Sequence, residues 1–313
     1  MATPIIEKLK SFHPKSTIDF LLRKGNEGLL ENNPNINLIL IWDKKSKKYS
    51  GMLRMIRRIR NEKYDFVINV QRFASTGLIT MLSGAKQKIG FDKNPLSVFY
   101  TTKIKHQIST DHQFVHEVDR NLSLIRHLTD DSSLKPRLYP SLKDYEIVPN
   151  NVDYVCIAPA SVWFTKQWPA VKWIELIDRL KDRFEIFLIG GSNDVQLCLE
   201  IQRKTGEDKV KILAGKLSFL ESAALIEKAK MTFANDSSPV HLASAMNAPI
   251  TEIFCSTVPY FGFGPLSDES NIIETEQDLA CRPCGIHGLK ECPEGHFKCA
   301  QIKIKDILTE VDL

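Results

Sequence analysis

The chain has 313 residues, enough for two domains with separate cores, and its 43% apolar and 26% charged content is that of a soluble globular protein. A formal charge of +4 is too small to imply a nucleic-acid partner, and no nucleic-acid-binding motif occurs. Seven cysteines in a chain that opens on no signal peptide argue against a disulfide framework. No apolar run approaches the roughly 18–20 residues of a membrane span, so the expected location is cytoplasmic.

Thr3 and Pro4 open a helix, with Thr3 as the expected cap and Pro4 in the first turn. Strands are expected over 18–22, 36–42, 66–70 and 88–91, and helices over 26–31, 50–61, 74–82 and 114–128. Strands alternating with helices imply a mostly parallel, doubly wound sheet. The 50–61 helix carries Arg54, Arg57, Arg58 and Arg60 beside Leu53, Met55, Ile56 and Ile59. One reading is a surface helix with its apolar stripe on the sheet. The other is a basic surface for anionic lipid headgroups or a phosphorylated acceptor, and the two are compatible.

Pro136, Pro140 and Pro149 punctuate the next stretch, so one domain is expected over 1–150 and a second over 151–313. In the second, strands are expected over 152–158, 185–189, 210–213, 231–235 and 250–254. Helices are expected over 169–180, 194–204 and 219–229, the last opened by the capping-box pair Ser218 and Glu221. In such a sheet ligands sit outside the carboxyl ends of the strands. Those ends hold Pro159, Ala160, Ser161 and Lys166, then Gly190, Gly191, Ser192 and Asp194, then Ala214, Gly215 and Leu217, then Asp236, Ser237, Ser238 and His241. Such a set suits a phosphate-bearing ligand, although the glycine pair or Lys166 alone would carry little.

The most informative stretch is 231–246. A buried strand stops at Asp236 and turns straight into a helix that Ser237 or Ser238 can cap, with Pro239 in its first turn and His241 close behind. Val240, Ala243 and Met246 continue inward at helical spacing. By spacing alone this is an ordinary strand–turn–helix or an anion site at a helix N-terminus.

The residues themselves decide more than the spacing. Asp236-Ser237-Ser238-Pro239-Val240-His241-Leu242-Ala243-Ser244-Ala245 resembles the Asp-Ser/Thr-Gly-Pro-x-His-Leu-Ala-Ala-Ala signature of the ADP-heptose:lipopolysaccharide heptosyltransferases, glycosyltransferase family nine. Ser238 stands where the family usually has Gly. Pro159-Ala160-Ser161 with Lys166-Gln167-Trp168-Pro169 and Trp173, then Leu188 to Gly191, Leu213 to Ser218, and Gly264-Pro265 match further blocks. Tyr64 to Gln71 and Ile89-Gly90-Phe91 match more loosely. The resemblance implies the GT-B fold, two Rossmann-like domains facing one another across a cleft, with the donor on the C-terminal domain and the acceptor on the N-terminal one.

Carried over by position, the resemblance makes Ala160, Ser161 and Lys166 contacts of a donor diphosphate or sugar. Asp194 becomes a ribose contact and Leu217 part of an adenine pocket. Asp236, Ser237, Ser238 and His241 complete the site, with Asp236 orienting the sugar or holding His241. It implies an inverting, metal-independent transfer of heptose or a related sugar from an ADP-sugar to a lipopolysaccharide-core or similar lipid-linked glycan, at the inner membrane surface and without a cofactor. The family's first strand and its Gly-Asp loop, bearing the proposed catalytic base, have no counterpart here, because the sequence starts at Met1-Ala2-Thr3-Pro4. That expectation leaves two alternatives, a start assigned too late or a non-catalytic nucleotide-sugar-binding descendant. A nucleotide-sugar epimerase of similar shape is a third reading, although no acid–base pair for it is visible.

Cys281, Cys284, Cys292 and Cys299, with His287 and His296 between them, form a loop-rich insertion near the end. Reduced packing thiols, a structural zinc site and a conditional disulfide all fit that spacing, and no metal is assigned. Cys156, Cys198 and Cys255 read as buried apolar residues.

Overall fold

The computed structural model describes residues 1–46, 48–109, 114–206 and 209–309. Two compact units separate between Pro136 and Arg137. The division falls within the proline-punctuated stretch but ahead of residue 150. The physical reason is that Tyr145 donates to Glu227 at 2.5 Å, and Ile147 and Val148 pack on the second unit's core.

The first unit runs through α1 (Thr3–Phe12), β1 (Asp19–Arg23), β2 (Leu38–Trp42), α2 (Lys48–Glu62), β3 (Phe66–Asn69), α3 (Ala74–Leu82), β4 (Gln87–Phe91), β5 (Thr102–Ile104) and α4 (Glu117–Leu122). Its strands form two parallel sheets, β1-β2 and β3-β4-β5. Among the described residues, β1 and β3 each pair on one side only. The apolar face of α2, carried by Met52, Met55, Ile56 and Ile59, buries against Leu40, Trp42 and Ile79, while Leu53 faces outward.

Three local expectations change here, and one strand is added. Ala2, not Thr3, takes the N-cap position of α1, and no side chain caps it. The 26–31 helix is a 3-10 turn over Glu27–Leu29. The 114–128 helix is the short α4 followed by a 3-10 turn over Ser123–Leu128. It starts late because His116 serves as its cap, Nδ1 accepting the Val118 N–H at 3.1 Å. β5, at three residues, is too short to show a period.

The second unit contains β6 (Tyr154–Ala158), α5 (Ala170–Leu180), β7 (Glu185–Leu188), α6 (Val195–Thr205), β8 (Val210–Ile212), α7 (Phe219–Lys228), β9 (Met231–Asn235), α8 (Ser238–Met246), β10 (Ile250–Phe254), β11 (Ser270–Glu274) and α9 (Ile304–Thr309). Its six-stranded sheet has the order β11-β10-β9-β6-β7-β8, every pairing parallel. β11 was outside the expected set, because its burial alternates while its sequence sets exposed Ile272 beside buried Ile273 and shows no such pattern.

Both faces of this sheet are covered. Val155, Ile157, Phe233 and Ile253 pack with α5 and α6 residues on one side, and Cys156, Ala234, Val240 and Ala243 pack with α7 and α8 on the other. Covered faces explain why every residue of β6, β9 and β10 is buried, with no solvent-facing alternation. The chain leaves β6 toward β7 and β8, then returns to β6's other side with β9. The order therefore reverses between β6 and β9, where a doubly wound sheet opens a crevice at its carboxyl edge.

Candidate active site

The crevice is built by fixing two loops to one another. Beyond β6, residues 159–168 turn across the sheet edge to a 3-10 turn over Phe164–Lys166. Trp168 and Trp173, both fully buried, anchor the far end edge to face, their ring centres 5.0 Å apart. Asn235, fully buried at the end of β9, donates to the Pro159 carbonyl at 2.8 Å and accepts the Trp168 N–H at 2.9 Å. One amide thus holds both ends of the loop to the strand that carries Asp236. The sequence had marked Asn235 only as the end of a strand.

Within that frame the Lys166 ammonium lies 2.6 Å from Asp236 Oδ2, with their side chains 13% and 9% exposed. Thr257, beyond β10, donates to the same oxygen at 2.6 Å. A nearly buried ion pair is held by geometry and added hydrogen bonds, and removing one partner would leave the other charge uncompensated. Asp236 Oδ2 therefore serves Lys166 and Thr257, a partnership the sequence did not indicate.

Next to this pair starts α8. Ser237 occupies its N-cap position, yet neither Ser237 nor Ser238 caps the helix as expected. The Ser237 hydroxyl donates back to the Asn235 carbonyl at 3.1 Å. The first turn, with Pro239 in it, keeps its amides and the positive end of the helix dipole clear of a side-chain cap. Ser238 is exposed, and Ser237 and His241 are half-buried.

The other candidates occupy the same edge at different distances. Ala160 and Ser161 follow β6, and the Ser161 carbonyl accepts from Gln167 Nε2 at 2.6 Å. Asp194 follows β7, where its Oδ2 accepts the Gly191 N–H at 2.7 Å. A Cβ on Gly190 would stand 2.7 Å from that oxygen, so a larger residue there would displace the carboxylate folded over it. Leu217, beyond β8, packs half-buried on the α7–α8 side of the core. Lys166, Asp236 and the start of α8 converge, while Asp194 and Leu217 lie along the edge toward β7 and β8.

Glu252 was missed altogether. It sits in the middle of β10 opposite Ala234, fully buried, with no hydrogen-bond partner for either carboxylate oxygen. Burial, and then the Asp236 charge, raise its pKa well above the ordinary carboxyl value, with Lys166 pulling the other way. Its one legible signal was a lone charge inside an apolar strand.

The sequence model described as Glycosyltransferase family 9 (heptosyltransferase) matches residues 52–290. Lipopolysaccharide heptosyltransferase 3 of Escherichia coli is 31% identical over 275 residues, covering 82% of this chain and 80% of that one. The chain belongs to glycosyltransferase family 9. It is accordingly a glycosyltransferase of the heptosyltransferase type. The lipopolysaccharide core heptosyltransferase OpsX of Haemophilus influenzae is 23% identical, covering 100% of this chain and 89% of its own. The solved structure of the E. coli ADP-heptose lps heptosyltransferase II superposes with a TM-score of 0.81 at 18% identity. It covers 99% of this chain and 93% of its own, so the fold is the GT-B fold of this family-9 protein.

The cysteine-rich segment is part of the same family-9 chain. Cys299 is buried in the main core, and Cys281 Sγ lies 3.9 Å from His296 Nε2. Among the described residues no group of three or more His, Cys, Asp or Glu is arranged to hold a metal ion. Cys156, Cys198 and Cys255 are fully buried in the sheet and α6, and burial raises their thiols, that of Cys198 to about 12.

Proposed function

We propose that this family-9 enzyme transfers a heptose, or a closely related sugar, from an ADP-sugar to a lipopolysaccharide-core or similar lipid-linked glycan, with inversion and without a metal. The observation that carries the reading is the Lys166–Asp236 pair at the reversal of strand order, beside the uncapped start of α8. The names of the relatives point the same way, two of them acting on lipopolysaccharide and one superposed structure being that of an ADP-heptose enzyme.

In this reading an acceptor hydroxyl attacks the anomeric carbon on the face opposite the diphosphate. The carbon–oxygen bond to the diphosphate breaks, and the hydroxyl gives up its proton to a base. Negative charge gathers on the departing ADP, where the Lys166 ammonium and the α8 amides stabilise it. Ala160, Ser161, Ser237, Ser238 and His241 contact the diphosphate and sugar, Asp194 the ribose and Leu217 the adenine. Asp236 keeps Lys166 oriented and is not assigned as the base.

The acceptor is membrane-anchored, and α2 offers the surface that would meet its membrane. Arg54, Arg57 and Arg58 are exposed there, together with Tyr49 at 67% and Leu53 at 53%. Among the described residues no helix is long and apolar enough to cross a membrane.

The test is release of ADP from ADP-heptose in the presence of heptose-deficient lipopolysaccharide core, with the product anomer read by NMR. Lys166→Ala should lower kcat by about a hundredfold or more, in line with the loss of one transition-state donor. Chelators should leave the parent rate unchanged. A Lys166→Ala protein that turns over and binds ADP like the parent would sink the reading, and ADP binding without any transfer would mark a binding protein.

A further inference from the structure

The segment 282–289 runs back over the carboxyl edge of the second unit's sheet. Arg282 donates from Nε to the Cys255 carbonyl and from Nη2 to the Thr257 carbonyl, both at 2.7 Å, and pairs with Glu274 at 2.5 Å. The Cys284 N–H donates to the Ser256 carbonyl at 2.9 Å. The strap is therefore fastened to the residues that follow β10.

Its other end is fastened to Thr165, the neighbour of Lys166. The Leu289 N–H donates to Thr165 Oγ1 at 2.8 Å, and the Thr165 N–H donates to the Leu289 carbonyl at 3.1 Å. Ser256 adds its hydroxyl to Thr165 Oγ1 at 2.9 Å and its N–H to the Thr165 carbonyl at 3.2 Å. Thr165 is only 1% exposed. Gly288 then forms the floor beneath Lys166. A Cβ there would stand 2.8 Å from Lys166 Cγ, 3.2 Å from Cδ and 3.1 Å from Thr165 Oγ1, at a φ of +76° that glycine alone adopts readily.

These contacts close on themselves. Lys166 pairs with Asp236, Asp236 accepts from Thr257, the Thr257 carbonyl accepts from Arg282, and the strap that Arg282 begins returns through Gly288 and Leu289 to Thr165. A free lysine side chain loses substantial rotamer entropy when it is fixed, so a pre-ordered one presents its charge at lower cost. From this circuit we infer that Thr165 and Gly288 are positioning residues, and that the 282–289 strap sets the place of the Lys166 ammonium against the donor's diphosphate. The inference rests on the reading of Lys166 as a diphosphate contact.

Thr165→Val removes the hydroxyl that the strap grips, Thr165→Ser keeps it, and Gly288→Ala intrudes on the lysine stem. Thermal melting establishes that each is folded, and kcat, donor KM and ADP affinity are then read, alone and combined with Lys166→Met. Thr165→Val and Gly288→Ala should each lower kcat about tenfold or more, as a small misplacement of a charged group does. Thr165→Ser should stay within about twofold of the parent. Combined with Lys166→Met, neither should lower kcat further, because both act through the same ammonium. Folded Gly288→Ala with parental kcat and ADP affinity overturns the inference, as do losses that simply multiply with that of Lys166→Met. If Lys166→Met itself behaves like the parent, the donor-site reading fails instead, whatever the strap does.

Discussion

The strands of the two units are written in the same apolar alphabet and meet different fates. In the second unit every residue of β6, β9 and β10 is buried. In the first unit β1 has no buried residue and β3 has one, with Phe66 still 41% exposed. The second unit has one continuous sheet, so each of those strands has a partner on both sides and helices on both faces. The first unit has two small sheets, each ending on a strand paired on one side. Backbone pairing on both flanks fixes the edge that carries Lys166 and Asp236, and the same residue types without it leave local opening cheaper.

The largest expected contrast is in hydrogen exchange. Amides of β6 and β9 should be protected about a hundredfold or more beyond those of β1 and β3, since exchange follows local opening free energy. Equal protection would mean that the divided sheet is as cooperative as the continuous one.

Next in size is the clamp at the head of the second unit. Asn235→Ala leaves the Trp168 N–H and the Pro159 carbonyl without their buried partner. It should lower that unit's stability by about 2–4 kcal/mol in denaturant titration. A loss below about 0.5 kcal/mol, the size of an ordinary surface change, would deny the clamp.

The units should also respond to pH with opposite sign. Burial holds the Glu252 carboxyl above its ordinary value in the folded unit, while the unfolded chain releases it to that ordinary value. Its contribution is therefore complete below the unfolded carboxyl range. As pH rises above that range, it diminishes by up to about 1.4 kcal/mol per pH unit until the folded carboxyl ionises. Glu252→Gln should flatten that slope. In the first unit burial, with Arg72 and Arg120 nearby, lowers His106 to about 4. The unfolded chain then takes up the proton first, so that unit loses stability as pH falls from about 6.5 toward 4. His106→Asn should remove that loss. An unchanged slope in either variant would assign the pH dependence to other groups.

The smallest effect belongs to the exposed face of α2. Leu53→Ala should change stability by less than about 0.5 kcal/mol, against about 2–5 kcal/mol for Ile56→Ala one turn inward. Arg57→Glu with Arg58→Glu should leave melting unchanged and reduce sedimentation with phosphatidylglycerol vesicles. Undiminished sedimentation would remove α2 from the membrane reading.

What the sequence determined by itself was local or periodic. The strand–helix alternation placed most elements, Pro239 and the stop at Asp236 placed α8, and the ends of the strands supplied Lys166 and Asp236 as candidates. Signals of this kind depend on neighbours along the chain. The tertiary structure alone decided that Lys166 pairs with Asp236, that Asn235 holds two loops, and that Leu289 grips Thr165 across 124 residues of sequence. It also decided that Glu252 is buried without a partner, because strand register and the helix laid over that face put it there. Strand order and register bring distant residues to one edge, and no local pattern encodes which of them will touch.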